Sequence, residues 1–255
     1  MVEPLLRVEQ VSKRFGGLLA LDRASLLAPA RRITALIGPN GAGKTTLVNI
    51  ISGDLTPSSG TIFLNGEDVT HLSIPGRVGA GLVRTFQVTR LFSSLTAAQN
   101  VAIAVMQKRG LTKQLFSNPV NHPDVRREWE GILGLLGIAH LSELRVSNLA
   151  YGQQRLLDLA IGLALEPKVL LLDEPAAGVP SDESPKIIEA INRLPSHIAV
   201  LMIEHDMDLV FRFAQRVLVL ANGRLIFEGT PAEVTGNPEV RRAYLGKYED
   251  ARRAS

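Results

Sequence analysis

The sequence predicts an α/β fold with a parallel sheet and a helical insertion. Short β-branched apolar runs alternate with helical stretches in the first and last thirds of the chain. One of these runs leads through a glycine-rich loop directly into a helix. Between residues 90 and 165 the pattern changes to helical periodicity with few strand formers. We therefore expect one domain over 1–255, with a core made of 1–89 and 166–255 and a helical subdomain at 90–165.

Composition narrows the class of protein. The 255 residues can bury a full core, and 28 Lys and Arg against 25 Asp and Glu leave a charge of only +3. This surplus is too small to argue for nucleic acid. Cysteine is absent, which excludes a disulfide framework and a thiolate metal site. The first ten residues lack the charged and apolar regions of a signal peptide, and no run of ~18 apolar residues predicts a membrane span.

Three short strands are expected in the first quarter of the chain, at 5–8, 24–27 and 61–64. Phe15 lies between the first two, just before a glycine pair and upstream of the glycine-rich loop. An aromatic ring at this place either stacks on a purine or is an ordinary hydrophobic residue at a strand end.

The glycine-rich loop follows the apolar run 33–37 and opens a helix that stops at Gly53. In such a loop, backbone N–H groups of the turn and of the helix N-terminus point at one anion. Lys44 adds a charge for the β- and γ-phosphates, and the Thr45 hydroxyl can bind Mg²⁺. A chance glycine turn is the alternative, but every fixed residue of the pattern Gly-x-x-x-x-Gly-Lys-Thr is present, so we expect a nucleoside triphosphate. The residues of the loop are Gly38, Pro39, Asn40, Gly41, Ala42, Gly43, Lys44, Thr45 and Thr46.

The elements after the loop follow from periodicity. A strand at 82–87 ends in the amide of Gln87, and the last helix of the insertion, 153–165, is apolar nearly all round and should be partly buried. The turn Asn222-Gly223 predicts a hairpin. The remaining expected elements are helices at 96–108, 125–136, 184–194 and from Asp206, and strands at 169–172, 199–203, 217–221 and 225–228.

Asp173 and Glu174 follow a strand that is apolar on both faces, as a central parallel strand should be. Ligands of open α/β sheets lie beyond the carboxyl ends of the strands, so Asp173 should arrive where the loop holds phosphates. One carboxylate can hold Mg²⁺, and the next can take a proton from an attacking water. The alternative is that the two acids cap a turn before Pro175.

His205 ends a second apolar strand and leaves the sheet at the same edge as Asp173. It can reach a γ-phosphate from there. Alternatively it is only a polar residue next to the helix for which Asp206 is a plausible N-cap.

A second anion site is expected at Gly152, which sits at the start of a helix where free N–H groups and the helix dipole attract negative charge. The chain has only one glycine loop to hold a nucleotide. This second site would be useful if it met a phosphate held by another copy or by a partner chain.

Taken in order, these motifs resemble the nucleotide-binding subunit of ABC transporters over almost the whole chain. The resemblance implies a P-loop NTPase core of the RecA-like kind with an antiparallel β subdomain and a helical subdomain. It also implies hydrolysis of ATP with Mg²⁺ at two sites shared between two such subunits. The motifs that carry it are GPNGAGKTT at 38–46, Gln87 after a strand, AYGQQR at 150–155, VLLLDEP at 169–175 and EHD at 204–206.

The resemblance implies a role for each matching position of the nucleotide site. Phe15 looks like the adenine-stacking aromatic, and residues 38–46 look like the Walker A loop. Glu174 resembles the catalytic carboxylate, while Lys44 and His205 would stabilise charge on the γ-phosphate.

The remaining matches concern Mg²⁺ and the partner subunit. Asp173 resembles the Walker B aspartate, and Thr45 would bind the metal with it. Gln87 looks like the glutamine that joins Mg²⁺ to the membrane interface. The signature motif that meets the partner's ATP corresponds to Leu149 and to Ala150, Tyr151, Gly152 and Gln153.

Two departures from the family pattern are visible. Ala150 and Tyr151 replace the serine and first glycine of the common Leu-Ser-Gly-Gly-Gln, so the Gly152 amides and Gln153 must do more at the phosphate. The segment that usually reads Ser-Ala-Leu-Asp runs Ala-Gly-Val-Pro at 177–180, and Pro180 cannot supply the carboxylate of that aspartate.

Five segments resemble the branched-chain amino-acid importer class within this family. That class implies transmembrane permease subunits, a second ATPase subunit, indirectly a periplasmic solute-binding protein, and a peripheral position on the cytoplasmic face of the inner membrane. Alternatives are urea or lipid transport, a soluble ABC ATPase of repair or translation, a small-molecule kinase, and a nucleotide-gated module without turnover. The segments are 15–21, 83–87, 150–155, 174–178 and 237–246, the last of which would otherwise be only an exposed helix.

Apolar residues next to Gln87 have the spacing of a helical stripe. They are Val88, Leu91, Phe92 and Leu95. The stripe either packs into the core of the insertion or forms a groove for a short helix of the permease.

Overall fold

The computed structural model describes residues 4–85, 91–111, 120, 122–180 and 183–245. They form the predicted α/β fold, with a six-stranded sheet, a four-stranded antiparallel sheet and helices on both sides of the larger sheet. Within these residues no helix combines the length and the apolar character needed to cross a bilayer. The strands are β1 (Leu6–Phe15), β2 (Leu18–Ala28), β3 (Ile33–Ile37), β4 (Ser59–Leu64), β5 (Glu67–Asp68), β6 (Leu82–Thr85), β7 (Val169–Asp173), β8 (Ala199–Ile203), β9 (Arg216–Ala221) and β10 (Arg224–Gly229).

The helices agree with the predicted ones to within about two residues at most ends, the usual uncertainty of helix boundaries. Two differ in kind. The helix at 74–80 was not predicted, and 237–246 is not one exposed helix, because a short helix there buries Val240 and a π-type turn follows over Arg241–Leu245. The helices are α1 (Lys44–Ser52), α2 (Ile74–Ala80), α3 (Ala97–Lys108), α4 (Pro123–Leu135), α5 (Tyr151–Ala164), α6 (Ser184–Asn192), α7 (Met207–Phe213), α8 (Pro231–Gly236) and α9 (Pro238–Val240).

The six-stranded sheet has the order β10-β9-β3-β8-β7-β6. All neighbours in it are parallel except β9 and β10, which form the predicted hairpin. Asn222 and Gly223 have φ of 49° and 76° in that turn, as a two-residue hairpin of this type requires. The central strands β3 and β8 are buried at every position, which explains their unbroken apolar sequence.

The antiparallel sheet has the order β2-β1-β4-β5. The predicted strands at 5–8 and 24–27 were too short, because β1 continues to Phe15 and β2 already begins at Leu18. Register shifts after Val8 and Val11 interrupt the alternation of buried and exposed residues. Such bulges remove the period of two on which the sequence prediction depends.

Two hydrophobic cores lie on opposite faces of the large sheet. Leu170 and Leu172 of β7 belong to the core shared with α3 to α7, and Val169 and Leu171 belong to the core shared with α1 and the antiparallel sheet. This alternation is the two-residue period of a strand that is buried on both faces. The sheet is therefore the middle layer of the molecule, and a site can form beyond the ends of its strands.

The expected helical stripe at 88, 91, 92 and 95 is wrong where it can be seen, and Val88 lies outside the described residues. Helix α3 begins only at Ala97, after a capping box between Thr96 and Gln99. The buried Asn100 accepts from the Phe92 N–H at 2.9 Å and donates to the Phe92 carbonyl at 3.2 Å. These bonds hold the preceding segment as a turn, in which Leu91 packs against the core and Phe92 is 58% exposed.

Arg77 in α2 is the largest buried charged side chain, only 1% exposed. Its guanidinium donates to the carbonyls of Ile50 and Ile51 at the end of α1, at 2.5 and 2.6 Å, and to those of Thr70 and Leu72 at 2.7 and 3.2 Å. The last carbonyls of a helix have no partner within it. Arg77 thus closes the C-terminal end of the helix that the glycine loop opens.

We expect Arg77→Met to lower the free energy of unfolding by about 3 kcal/mol or more, because it leaves buried carbonyls without donors. Urea denaturation of the full chain measures this. The matched control is Arg127→Met, whose side chain is 82% exposed on α4. The control should stay within about 0.5 kcal/mol of the parent, and an equally small loss for Arg77→Met would contradict the capping role.

Candidate active site

The glycine loop has the backbone geometry of an anion cradle. Gly41 and Gly43 have φ of 78° and 102°, where a side chain is strained. A Cβ on Gly43 would also lie 2.8 Å from the Ala20 carbonyl oxygen, whereas a Cβ on Gly41 would meet no atom within 4 Å. Helix α1 begins at Lys44, so its first N–H groups, which have no partner within the helix, face the open side of the loop. The local structure therefore fits the phosphate-binding prediction.

Lys44 is buried beneath this loop. Its Nζ donates to the Gly38 carbonyl at 2.6 Å and to the Pro39 carbonyl at 3.0 Å. Burial lowers the pKa of the Lys44 amino group, and the nearby Glu174 carboxylate opposes that shift. The ammonium is thus held at the loop by two carbonyls that it can exchange for phosphate oxygens.

An open cleft of about 920 Å³ collects most of the predicted site residues. Residues 40–46 of the loop line this cleft together with Asp173, Glu174 and His205. Phe15 stands at the mouth, 46% exposed, with the Lys13 ammonium 5.2 Å from its ring centre. The cleft is therefore wide enough for a nucleotide and has an aromatic face beside the loop.

Asp173 ends β7 with its carboxylate at the cleft. Its Oδ2 accepts from Arg84 Nη2 at 2.5 Å. The other terminal nitrogen of Arg84 donates to Asn49 Oδ1 at 2.8 Å and to Ser52 Oγ and Asp54 Oδ2, both at 3.2 Å. Arg84 therefore joins the carboxylate to the far end of α1, a link that the sequence analysis missed.

Glu174 and His205 meet in the cleft. His205 Nε2 lies 2.7 Å from Glu174 Oε1, although 31 positions separate the two residues in the chain. Glu174 has a φ of 51°, in the left-handed region that non-glycine residues rarely adopt. Its N–H is bonded to the Ile203 carbonyl at 3.0 Å, which fixes this backbone against β8. Strained residues of this kind cluster at functional sites.

The four predicted signature residues are not in this cleft. Gly152 and Gln153 lie at the start of α5 beside a separate cavity of about 340 Å³, shared with α6. Gln153 Oε1 accepts from the Ala150 N–H at 2.9 Å, which is half of a capping box, because Ala150 has no oxygen to complete it. One subunit therefore holds its glycine loop and its second helix N-terminus apart.

Tyr151, which departs from the family's signature motif, contacts the segment at 177–180, which holds the second departure. Its ring packs on Gly178, where a Cβ would lie 3.2 Å from Tyr151 Cε1. The Tyr151 hydroxyl accepts from Arg155 at 2.7 Å, and Arg155 also donates to the Ala177 carbonyl at 3.3 Å. The substituted signature and the substituted 177–180 segment are thus in direct contact.

Two residues differ from the rest of the site, because Gln87 was predicted but cannot be described and Glu204 was missed. Gln87 lies outside the described residues. Glu204 was quoted in the Glu-His-Asp motif without a role, yet it is buried at the end of β8 beside His205. An acid directly after five buried apolar residues, like Arg84 inside a parallel strand, is the signal that could have found it.

The donor set fits Mg²⁺. This ion binds few protein oxygens directly and takes the rest of its shell from water and phosphates. The exposed Thr45 hydroxyl and the Asp173 carboxylate, both oxygen donors, line the same cleft. Among the described residues no group of three His, Cys, Asp or Glu side chains forms a metal cage, so a site completed by phosphates is the kind that this cleft can hold.

The sequence of this chain is similar to those of known transport proteins. The family model described as ABC transporter matches residues 21–177, and the one described as branched-chain amino acid ATP-binding cassette transporter matches 224–250. The chain is 42% identical to the high-affinity branched-chain amino acid transport ATP-binding protein LivG of Salmonella typhimurium, with 97% of this chain and 100% of that protein covered. It is 39% identical, with the same coverage, to BraF of Pseudomonas aeruginosa, which has the same description.

Solved structures agree with this result. A cassette of an ABC transporter in its ADP conformation matches with a TM-score of 0.83 and 30% identity, covering 95% of this chain and 99% of that one. A nucleotide-free cassette matches with a TM-score of 0.81 and 28% identity, covering 94% and 98%.

Fold and cleft together define a P-loop ATPase, because a glycine loop, a buried lysine and a strand-end carboxylate pair meet at the carboxyl edge of a parallel sheet. The chain belongs to the ABC transporter family, within its branched-chain amino acid class.

Proposed function

We propose that this ATPase powers the import of branched-chain or other hydrophobic amino acids across a membrane. The catalytic part of this proposal is supported by one cleft, which is lined by Asp173, Glu174 and His205 together with Lys44 and the rest of the glycine loop. The solute class is supported by the names of LivG and BraF, both branched-chain amino acid transport proteins. Transport of urea or lipid remains the alternative, since this cleft does not touch the solute.

Glu174 is the general base in this proposal. Its Oε1 is 2.7 Å from His205 Nε2, so the histidine orients the carboxylate toward a water at the γ-phosphate. Lys44 and the N–H groups at the start of α1 stabilise the charge that develops on the transferred phosphoryl group. His205 helps to stabilise the same charge and lines the same cleft. Phe15 stacks on the base at the mouth.

Thr45 and Asp173 hold Mg²⁺ in this proposal, and Gln87 completes the set from the segment at 86–90. The ion, when bound, neutralises phosphate charge and orients the phosphates. Since Oδ2 of Asp173 is bonded to Arg84, the carboxylate presents its other oxygen to the metal or to a water of its shell. Arg84 thereby sets the direction in which Asp173 acts.

The complete site is shared between two subunits. In one chain the helix N-terminus at Gly152 is separate from the cleft that holds the loop. A second ATPase subunit, identical or different, brings its Ala150 to Gln153 segment to the phosphate held here. The Gly152 amides and the Gln153 side chain then contact the phosphate in place of the missing serine hydroxyl.

The partners in this proposal are permease subunits in the membrane and, through them, a periplasmic solute-binding protein. The subunit lies peripherally on the cytoplasmic face of the inner membrane. We also propose that the chain is one domain, composed of a core at 1–89 and 166–255 and a helical subdomain at 90–165. Its described helices α3, α4 and α5 contact one another, as a separate unit requires.

Replacing Glu174 with Gln should cut the rate of ATP hydrolysis by about 10²- to 10⁴-fold and leave ATP affinity nearly unchanged, because only the proton acceptor is removed. Steady-state hydrolysis and equilibrium binding measure the two effects. Hydrolysis within about threefold of the parent would remove Glu174 from the role of base, since a positioned base contributes far more.

Mixing a Lys44→Ala chain with a Gly152→Asp chain tests the shared site. Each variant alone should be inactive, while a mixed dimer holds one site with both an intact loop and an intact signature. Mixing should therefore restore part of the activity, at most that of one site. Melting temperatures of both variants serve as the folding control. Activity of the parent that stays proportional to concentration while sedimentation shows only monomer would contradict sharing.

Phe92 offers the test of the permease contact. Asn100 holds the Phe92 backbone, while the Phe92 ring is exposed. Leu144 is also exposed, and its carbonyl accepts from the N–H of Ala97 at the start of α3. Phe92→Asp should weaken co-purification with the permease and uncouple hydrolysis from solute, because burying such a ring contributes ~1.5 to 3 kcal/mol.

The controls for Phe92→Asp are ATP affinity and melting temperature, which should remain near those of the parent. The matched variant Phe92→Leu keeps an apolar surface and should retain co-purification. A large fall in the melting temperature of Phe92→Asp would show that the ring belongs to the core of the insertion.

A further inference from the structure

Glu204 is a buried acid that the mechanism above does not use. It follows β8 directly, precedes His205, and is only 4% exposed. Burial raises the pKa of the Glu204 carboxyl, and backbone N–H groups partly oppose the shift. An acid at such a place costs free energy that a methionine of similar length would avoid. Its contacts show what the carboxylate does.

The carboxylate binds the backbone of the segment that carries His205. Glu204 Oε2 accepts from the N–H of His205 at 2.8 Å and from that of Asp206 at 3.3 Å. Asp206 in turn accepts from the first N–H groups of α7, at 2.9 and 3.2 Å. The turn between β8 and α7 is therefore tied at its start by Glu204.

The second oxygen of this carboxylate has no hydrogen-bond partner among the described residues. The Ala176 N–H, two residues beyond Glu174, contributes to lowering the pKa of Glu204. Within the described part of the chain this N–H completes no hydrogen bond to Glu204, and Oε1 is buried without a partner. Glu204 is thus hydrogen-bonded through Oε2 to the exit of β8, the segment that carries His205.

The exits of β7 and β8 must be held together for the Glu174–His205 contact to exist. Glu174 has a left-handed φ of 51°, which costs free energy, and it is bonded to the Ile203 carbonyl one residue before Glu204. Nothing in the local sequence of either segment sets the 2.7 Å separation between His205 Nε2 and Glu174 Oε1. The bonds of Glu204 to the backbone of His205 and Asp206 supply part of that constraint.

We propose that Glu204 is a positioning residue for ATP hydrolysis, which fixes the exit of β8 so that His205 reaches the Glu174 carboxylate. The inference rests on the roles given above to Glu174 and His205. Glu204 touches neither nucleotide nor water in this proposal. It acts only through the backbone of residues 205 and 206.

The test uses the full chain with Glu204→Met, Glu204→Gln and the control Glu67→Met, which replaces an exposed acid on β5. We expect Glu204→Met to lower kcat about 10²-fold, as misplacement of a reacting group by ~1 Å does, while KM for ATP stays within about twofold. Its melting temperature should stay near that of the parent, because removal of a buried acid offsets the loss of the acceptor for two backbone N–H groups. Glu204→Gln keeps an acceptor oxygen and should recover most of kcat.

Several results would overturn the inference. One is a kcat of Glu204→Met equal to that of Glu67→Met. Another is a fall in melting temperature together with an equal loss of ATP binding, which is the signature of a purely structural residue. A third is a Glu204→Gln variant as slow as Glu204→Met, since the acceptor would then be irrelevant.

Glu174→Gln and His205→Ala, assayed beside these variants, separate this inference from the proposed function. If both hydrolyse ATP normally, the roles of the pair are wrong and the positioning role falls with them. If both are slow while Glu204→Met is normal, the proposed function stands and only the inference fails.

Discussion

The parallel pairing of β3, β8 and β7 is the constraint on which the rest of this molecule depends. Leu36 of β3 and Asp173 of β7 both have β8 residue Ile203 as their partner in register. Three strand ends therefore finish side by side, and the chain leaving each of them must enter the same space. The glycine loop, the acid pair and the histidine turn are these three exits. The buried side chains on both faces of the sheet set the strand register, and this register places the three exits side by side.

Charges at these exits are matched to backbone or to opposite charge. Lys44 is held by two carbonyls, Asp173 by Arg84, and Glu174 by His205. Removing charged groups from water is costly unless each has a partner, and the partners of Asp173 and Glu174 come from distant segments of the chain. The same contacts that offset desolvation also orient the groups. In the proposed function Lys44 exchanges these carbonyl oxygens for phosphate oxygens, which costs little because both are hydrogen-bond acceptors.

The departures from the common family pattern are local solutions that support each other. Tyr151 occupies space where the family pattern has a glycine, and Gly178, with a φ of 75°, leaves room for its ring. Arg155 bridges the tyrosine hydroxyl and the Ala177 carbonyl. The start of α5 is thereby linked to the segment after Glu174 within one chain. This link does not involve Pro180, which stands where the family pattern has an aspartate.

Sequence by itself determined the features that depend on neighbouring residues. The glycine loop, the stop of α1 at Gly53 and the Asn222-Gly223 hairpin follow from φ values that only certain residues tolerate, and the long helices follow from their period. Asp173 and His205 could also be predicted as site residues, because each lies at the end of an apolar run that is visible in the sequence.

Only the tertiary structure decided the rest. Phe92 is exposed because Asn100 holds its backbone in a turn, against a spacing that predicts a helix. The Arg84–Asp173 pair joins residues 89 positions apart, and the His205–Glu174 contact joins residues 31 positions apart. Such contacts arise from strand register and side-chain packing between distant segments. Periodicity and local backbone preference carry no information about which distant segments will meet.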